Sequence, residues 1–511
     1  MQENITIINS KDSFFKNLSI FCFLLFPASI VAGPFFAELF MNIISLAFLY
    51  NVIKKKNFFL FKQKFFIIFI LFYFYILLIS FFSTYAENIF YKNFFYFRYI
   101  IFVYAISELL LNNKNLVLLF YKFLLFTIFI VGVDGCIQYL FSTNLIGYTQ
   151  IREDRISGIF GEKLVLGSYM ARLFPLFVGL FLYNFKLLKS LEIYLSFITI
   201  IFCVVTILIS GERMALGVTI MYIVLAFVLF DLKIKLKVIS LSLITSLILL
   251  IYFLSPIVSK RLYNQTVSQV NLKLDNEFFF DNFYSYSEIY KTAFKGFLDQ
   301  KIIGQGPGSF RFFCADQKFL TIKKNQHNFS LKDFGFEKVQ IDKIFINNNN
   351  NISLKKGDIL FSYHEDGKIK YYTAEEDFYI ISTNISKNID GKIVEDPSIY
   401  FVLLETYRNG CNTHPHNFYL QLLSETGIIG FLFVFLIFLY VVYLIFKYLY
   451  FYIFVKRKIL SNLKISLALG FLTTLLPIIP NGNFFNNWLN MIMFFPVGFY
   501  IFSLNKKKRN E

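Results

Sequence analysis

Charged residues are scarce in this sequence. Asp, Glu, Lys and Arg make up 16% of the 511 residues, whereas 57% of the residues are hydrophobic and 71 are phenylalanine. Soluble proteins carry about 25% charged residues, so this composition excludes a multidomain soluble protein. Apolar runs recur at lengths near the roughly 20 residues that cross a bilayer as a helix. The sequence therefore predicts an all-α polytopic membrane protein.

Residue patterns that carry metal or nucleotide chemistry are also missing. The chain has four histidines and five cysteines, and their spacing does not match a zinc site. The early loops contain no Asp-x-Asp pair or carboxylate cluster that would offer oxygen ligands to a divalent cation. The glycine-rich stretch GQGPGSF at 304–310 does not follow a strand of a βαβ unit, so we interpret it as a tight turn. We expect no metal and no other cofactor.

The apolar runs predict about twelve transmembrane helices. The first run is interpreted as a retained span, because polar residues precede it and no small-residue cleavage site follows it. The predicted spans are residues 18–33, 35–53, 65–82, 94–111, 116–136, 164–184, 191–210, 214–231, 238–255, 427–446, 463–480 and 485–504.

The distribution of positive charge predicts the orientation of these spans. One set of span ends is rich in lysine and arginine, whereas the other set carries only Lys92, Arg98, Arg152, Arg155, Lys163 and Arg213. Since short cytoplasmic loops accumulate positive charge, we expect both termini in the cytoplasm. The net charge of +17 is then mostly topological, and we expect no nucleic-acid partner.

The chain divides into three regions. Residues 1–255 hold the first nine predicted spans, and 416–511 hold the last three and a basic tail. Residues 256–415 form one long loop, which the charge rule places in the periplasm. Residues 283–313 of this loop read as helix and a glycine-rich turn. Residues 317–405 are polar, with strand-like alternation around Asp366-Gly367, and predict a small β insertion.

Three arginines lie where the charge rule disfavours them. Arg213 occupies a short turn, LISGERMALG, between two spans, and Arg152 and Arg155 precede another span on the same face. They could extend to lipid head groups as anchors, and Arg213 could pair with Glu212. Alternatively they form a cationic cluster, because a guanidinium offers a planar fork of donors that suits a lipid diphosphate.

Two of the few histidines stand where a span begins, in the stretch THPHNFYLQLLSETGIIG at 413–430. We expect His416 to begin a helix that Thr413 or Asn412 caps. The positive end of that helix would keep the imidazole neutral near pH 7, as a general base requires. The alternative is an interfacial histidine that hydrogen-bonds to loop backbone. Gly427 and Gly430 could likewise be simple helix-packing positions.

These segments together resemble the bacterial O-antigen ligase and O-antigen polymerase superfamily. His416-Asn417, nine residues, then Gly427-Ile428-Ile429-Gly430 is similar to the histidine signature of that family, and GERMAL resembles its arginine turn. RISGIFGEKLVLGSYM, IIGQGPGSFR and NGNFFNNW also resemble family segments, as does the arrangement of about twelve spans with a large loop before the last three. The resemblance covers roughly 125–315 and 405–505.

The resemblance implies a glycosyltransferase of the bacterial inner membrane. Such an enzyme transfers a glycan from undecaprenyl diphosphate at the periplasmic face, with inversion and without a metal. The acceptor is the lipid A core in a ligase and a second carrier-linked glycan in a polymerase. His416 would be the base, and His414 and Asn417 would support it. Arg213 would bind the diphosphate with a loop cation, for which Arg311, Arg261 and Lys291 are the choices.

A second class of function stays open from the residues alone. A transporter or flippase of polyisoprenoid lipids would carry ionisable residues within its spans. Asp134, Glu108 and Arg172 are the candidates, and they form no obvious relay in the sequence.

Cys314 and Cys411 bracket the predicted β insertion in the external loop. Both flanks belong to the part that resembles the family, so the two ends of the insertion must meet. Because an oxidising periplasm favours disulfides, we expect a Cys314–Cys411 bond at the base of the insertion. The alternative is two free thiols.

Overall fold

The chain is mainly helical in the computed structural model. The structure describes residues 10–509 except 57, 59–61, 114, 153, 265–285, 317, 320–326, 331–339, 345–351, 355–358, 366–367, 374–377, 385–399, 406–409 and 478. The helices are α1 Ser10–Ala32, α2 Pro34–Lys55, α3 Lys64–Phe82, α4 Ala86–Phe94, α5 Arg98–Asn112, α6 Leu116–Phe141, α7 Leu166–Asn184, α8 Ser190–Ile209, α9 Arg213–Leu229, α10 Ile234–Leu254, α11 Pro256–Ser259, α12 Ser287–Asp299, α13 Phe310–Phe313, α14 Phe418–Ile453, α15 Asn462–Thr474 and α16 Asn487–Arg509.

Ten helical segments among the described residues are long and apolar enough to cross a membrane, with α4 and α5 counted as one segment, Ala86–Asn112. Helix α9 is apolar but has 17 residues, and α15 has 13 residues. The span predicted to reach residue 480 is too long, because α15 ends at Thr474 before two prolines, Pro477 and Pro480, that disfavour further helix. Helix α10 is apolar and has no buried residue, which in water would be a large exposed patch. The protein is an all-α polytopic membrane protein.

Phenylalanine side chains fill the centre of the helix bundle. The Phe23 ring centroid lies 4.7 Å from that of Phe120 and 5.9 Å from that of Phe499. Phe26 and Phe102 continue the cluster at 4.8 Å. Four of these five side chains lie on α1, α5 and α6, and Phe499 lies on α16. Helix association in lipid depends on close packing, and aromatic pairs add about 0.5–1.5 kcal/mol each beyond area burial. The aromatic content therefore holds α1, α5, α6 and α16 together.

Seven short strands lie between residues 327 and 405, where the sequence predicts the β insertion. They are β1 His327–Ser330, β2 Gln340–Ile344, β3 Ile352–Leu354, β4 Ile359–Glu365, β5 Lys368–Thr373, β6 Phe378–Asn384 and β7 Tyr400–Glu405. They form two antiparallel sheets, ordered β1-β7-β6-β3 and β2-β4-β5. Strands β4 and β5 pair on either side of the predicted Asp366-Gly367 turn, which lies outside the described residues.

A disulfide joins Cys314 to Cys411 across the base of this insertion. The two Cα atoms are 4.9 Å apart and 97 residues apart in sequence. Cys314 is buried in a small apolar cluster with Ala293, Phe310 and Phe313, so the bond anchors the chain just before His414 to α12 and α13. The alternative of two free thiols does not describe this structure.

Candidate functional site

Helix α14 begins at Phe418, and Asn417 is its N-cap. The Asn417 side-chain oxygen accepts hydrogen bonds from the backbone N–H groups of Tyr419 at 2.9 Å and Leu420 at 3.1 Å. These are two of the donors that a helix N terminus leaves without partners. Asn417 therefore fixes where the helix starts and how the chain enters it.

The histidines precede this helix instead of beginning it. The prediction that His416 starts the helix and that Thr413 or Asn412 caps it is wrong, because the helix starts at Phe418 and Asn417, directly before it, accepts from its first free N–H groups. The polar groups of Asn412 and Thr413 contact the imidazoles instead. Asn412 Nδ2 lies 3.2 Å from His416 Nε2, and Thr413 Oγ1 lies 2.9 Å from His414 Nδ1.

The backbone of His416 is held in a left-handed conformation. Its φ is 56°, which is uncommon for a residue other than glycine. The His416 carbonyl accepts a hydrogen bond of 2.7 Å from the Asn481 N–H, and Asn417 Nδ2 donates to the Pro477 carbonyl at 2.7 Å. Pro477 and Asn481, the first residue of the NGNFFNNW stretch, thus hold the segment at 412–417, which we call the histidine loop.

The Asn412 contact indicates which nitrogen of His416 carries a lone pair. Asn412 Oδ1 accepts a hydrogen bond from the Thr413 N–H at 2.6 Å, so the amide nitrogen is the group that faces the imidazole. Asn412 Nδ2 then donates to His416 Nε2. This places the basic lone pair on Nε2 and the ring proton on Nδ1.

Burial keeps both imidazoles neutral. Removal from water lowers the pKa of His416 below 6.5. The pKa of His414 falls to about 3, first because of burial and then because of the adjacent His416. The two ring centroids are 4.1 Å apart. The expected neutral base therefore results from burial and not from the end of a helix.

Three arginines converge next to the turn between α8 and α9. Arg261 donates from Nε to the Gly211 carbonyl at 3.2 Å and from Nη1 to Asp154 Oδ2 at 2.8 Å. Arg213, two residues after Gly211, is within electrostatic range of Arg261, Arg155 and Asp154. We call Arg155, Arg213 and Arg261 the arginine cluster. Asp154 is the carboxylate that fixes its geometry.

Tyr286 connects the arginine cluster to His416. Its ring centroid is 5.2 Å from the His416 ring and 5.8 Å from the Tyr290 ring, and it is within electrostatic range of Arg213. Nothing in the sequence indicates this role, because Tyr286 is one of 33 tyrosines and lies far from both partners along the chain.

Arg152 and Glu212 occupy the edge of the same region. The backbone of Arg152 pairs with that of Arg155, so the two guanidinium groups start from neighbouring positions. Glu212 accepts hydrogen bonds from the Gly167 N–H at 2.8 Å and the Ser168 N–H at 3.1 Å. Its carboxylate therefore caps the N terminus of α7.

Arg311 lies apart from the arginine cluster. The sequence groups it with Arg213 as a diphosphate ligand, but its charge interacts with His414 and Lys92. The physical reason is that α13, which carries Arg311, is attached to α14. Lys291, the third choice, lies 3.6 Å from the Glu288 carboxylate on its own helix. Of the three choices, Arg261 is the one that contacts the turn before Arg213.

Gly427 breaks α14 and lets another segment approach its backbone. Its φ of 63° is left-handed, and a Cβ at this position would overlap the Ile302 carbonyl. Ile428 N–H donates to the Lys301 carbonyl at 2.9 Å across the break. A Cβ at Gly430 would meet the Thr426 side chain of the same helix and, at 3.3 Å, the Tyr75 ring of α3.

The GQGPGSF segment is held against this break by a buried carboxylate. Glu425 accepts hydrogen bonds from the Gly308 N–H at 2.8 Å, the Phe310 N–H at 3.0 Å and Gln421 Nε2 at 3.0 Å. The glycine-rich stretch is therefore a turn that packs on α14 and carries α13 to the histidine loop.

The described residues thus place a neutral imidazole and a group of arginines on either side of Tyr286. Within these residues, no group of three or more His, Cys, Asp or Glu side chains could hold a metal ion. A small cavity is lined by Arg261, Asp154 and Gln150 and by apolar side chains that include Leu208, Ile257 and Leu262. A comparison with protein-family models finds no matching family, and a search of curated proteins finds no similar sequence.

Proposed function

We propose that the protein is a membrane glycosyltransferase of the O-antigen ligase type. It transfers a glycan from undecaprenyl diphosphate to an acceptor hydroxyl of the lipid A core, at the periplasmic face of the inner membrane. The observation that carries this proposal is the connection from His416 through Tyr286 to Arg213. A neutral base that is connected to a cationic group through one tyrosine suits a reaction whose leaving group is a diphosphate.

The proposed reaction is a single inverting displacement. The acceptor oxygen forms a bond to the anomeric carbon as the bond from that carbon to the diphosphate oxygen breaks. The electron pair leaves with the diphosphate, and the hydroxyl proton passes to His416 Nε2. The acceptor hydroxyl takes the position of Asn412 Nδ2 on that lone pair. The arginine cluster stabilises the negative charge that develops on the diphosphate.

Support for a lipid donor comes from the surroundings of Arg261. Arg261 and Asp154 line a small cavity together with the apolar side chains of Leu208, Ile257 and Leu262. A diphosphate on a polyisoprenoid chain presents the same combination of charge and apolar surface. With a second carrier-linked glycan as acceptor, the same residues would polymerise repeat units.

The transporter alternative receives less support, because its candidate residues have local structural contacts. Asp134 accepts hydrogen bonds from Asn144 Nδ2 at 3.2 Å and from the Leu145 N–H at 3.0 Å. Arg172 donates to the Ser168 carbonyl at 3.2 Å within its own helix. These groups secure a loop and a helix end, which is not the arrangement of a transport relay.

Transfer should lose activity in acid. His416 acts as a base only when neutral, and burial lowers its pKa below 6.5. The rate should therefore be constant above that pH and should fall as the pH decreases through the lowered pKa. We would measure transfer by purified protein in proteoliposomes that contain EDTA, with carrier-linked glycan and acceptor extracted from the source cells. An acid limb centred at or above pH 6.5 would contradict the assignment.

The histidine loop should lie outside the cytoplasm, with both termini inside. In a background that lacks Cys22, Cys136 and Cys203, a cysteine at the exposed Lys301 position should react with a membrane-impermeant maleimide in intact spheroplasts. A cysteine at exposed Lys235, on the lysine-rich side, should react only after lysis. The reverse pattern would refute the proposed function, because the carrier-linked glycan is presented at the periplasmic face.

A further inference from the structure

We propose that Lys92 and Arg311 form a second anion site, which binds a phosphate group of the acceptor lipid. This proposal rests on the proposed function for the identity of the ligand as acceptor. The site lies next to His414, whereas the arginine cluster is connected to His416 through Tyr286.

Hydrogen bonds fix Lys92 beside the glycine-rich segment. Asn93 Nδ2 donates to the Pro307 carbonyl at 2.9 Å, and Ser83 Oγ donates to the Gln305 carbonyl at 2.6 Å. Helix α4 and the turn that precedes it are therefore each attached to this segment by one hydrogen bond. Lys92 Nζ lies 3.9 Å from the position that a Cβ on Gly308 would occupy. Arg311 follows Gly308 by three residues, and its charge is within electrostatic range of Lys92.

The nearest carboxylate does not neutralise this pair. Glu425 attracts Lys92, but it is buried and already accepts hydrogen bonds from Gly308, Phe310 and Gln421. In the part of the chain that the structure describes, neither Lys92 nor Arg311 is within 4.0 Å of an acidic side chain. Both side chains are exposed.

Like charges held close together favour an anion. Lys92 and Arg311 repel each other, and Arg311 also disfavours a positive charge on His414. The attraction of a bound phosphate to both cations would offset this repulsion. The phosphate would also accept charge-assisted hydrogen bonds from the Lys92 ammonium and the Arg311 guanidinium.

The order of contacts assigns the site to the acceptor. Arg213 is within electrostatic range of Tyr286, and the Tyr286 ring contacts that of His416. The His416 ring contacts that of His414, which is within electrostatic range of Arg311. The two cationic groups thus stand at the ends of one series with the proposed base between them. A transfer between two phosphate-bearing lipids needs an anchor for each lipid and a base where their reactive groups meet.

The test measures binding without turnover, so that it is independent of catalysis. Purified protein in neutral detergent would be titrated with dioctanoyl phosphatidic acid, dioctanoyl phosphatidylcholine and inorganic phosphate by calorimetry. The variants would be Lys92→Gln with Arg311→Gln, Lys92→Arg with Arg311→Lys, and Arg213→Gln with Arg261→Gln. Lys163→Gln, an exposed cation on a neighbouring loop, is the matched control.

We expect the phosphatidic acid isotherm to contain two components. Loss of both charges at Lys92 and Arg311 should weaken one component about tenfold or more. The charge-keeping pair and Lys163→Gln should retain it, and the Arg213–Arg261 variant should weaken only the other component. Preference for phosphatidic acid over inorganic phosphate would identify a lipid head group, and equal binding would identify a free phosphate. Unchanged binding in the Lys92–Arg311 variant, or an equal loss in Lys163→Gln, would overturn the proposal and leave the test of His416 unaffected.

Discussion

His416→Asn should reduce the rate of glycan transfer by about 100- to 10,000-fold, which is the contribution of a general base. Asparagine is the informative replacement because it tolerates the left-handed conformation that His416 adopts. The hydrogen bond from Asn481 to the residue 416 carbonyl can therefore persist. What the substitution removes is the basic nitrogen.

The measurement is initial transfer rate in proteoliposomes, with glycan laddering of complemented cells as a second readout. The amount of protein in the membrane and its elution volume should match the wild type. Lys163→Gln, which lies outside the site, should transfer normally. Near-normal laddering in the His416→Asn strain would refute the assignment of His416 as the base.

Arg213→Gln and Arg261→Gln should each reduce transfer by about 100- to 1,000-fold, as expected for a donor that stabilises developing charge. The loss should appear in the rate at saturating acceptor. The double variant should lose less than the product of the two single effects, because the two cations act on one leaving group. Lysine at either position should restore only part of the rate, since a single ammonium does not reproduce a guanidinium fork.

This series also identifies the cation that acts with Arg213. Arg261 contacts the Gly211 carbonyl and Asp154, whereas Arg311 neighbours Lys92 and His414. Near-normal transfer by Arg261→Gln, together with a loss in turnover by Arg311→Gln at saturating acceptor, would reverse the assignment. Wild-type elution of each variant on size exclusion would show that its fold is intact.

The sequence alone determined the class of the molecule, because that property depends on local composition. Apolar runs of membrane length form helices wherever they occur, since an unpaired backbone is costly in lipid. Each predicted span overlaps a helix of the structure. The disulfide was also predictable, because Cys314 and Cys411 are the two cysteines that lie in the long loop between the predicted spans. The helix end at Thr474 was missed although the prolines that cause it are visible in the sequence.

Tertiary structure decided the composition of the site, because its contacts join residues distant in sequence. Arg261 and Arg311 are equivalent choices in the sequence. They separate in the structure because Asp154 binds Arg261, whereas Arg311 lies on α13, which is attached to α14. Tyr286 becomes recognisable through its contact with His416, 130 positions further along the chain. Gly427 and the segment at 301–308 approach each other closely, because neither Gly427 nor Gly304 has a side chain where the two backbones meet. Such choices depend on which surfaces meet after the helices pack, and a local pattern of residues does not contain that information.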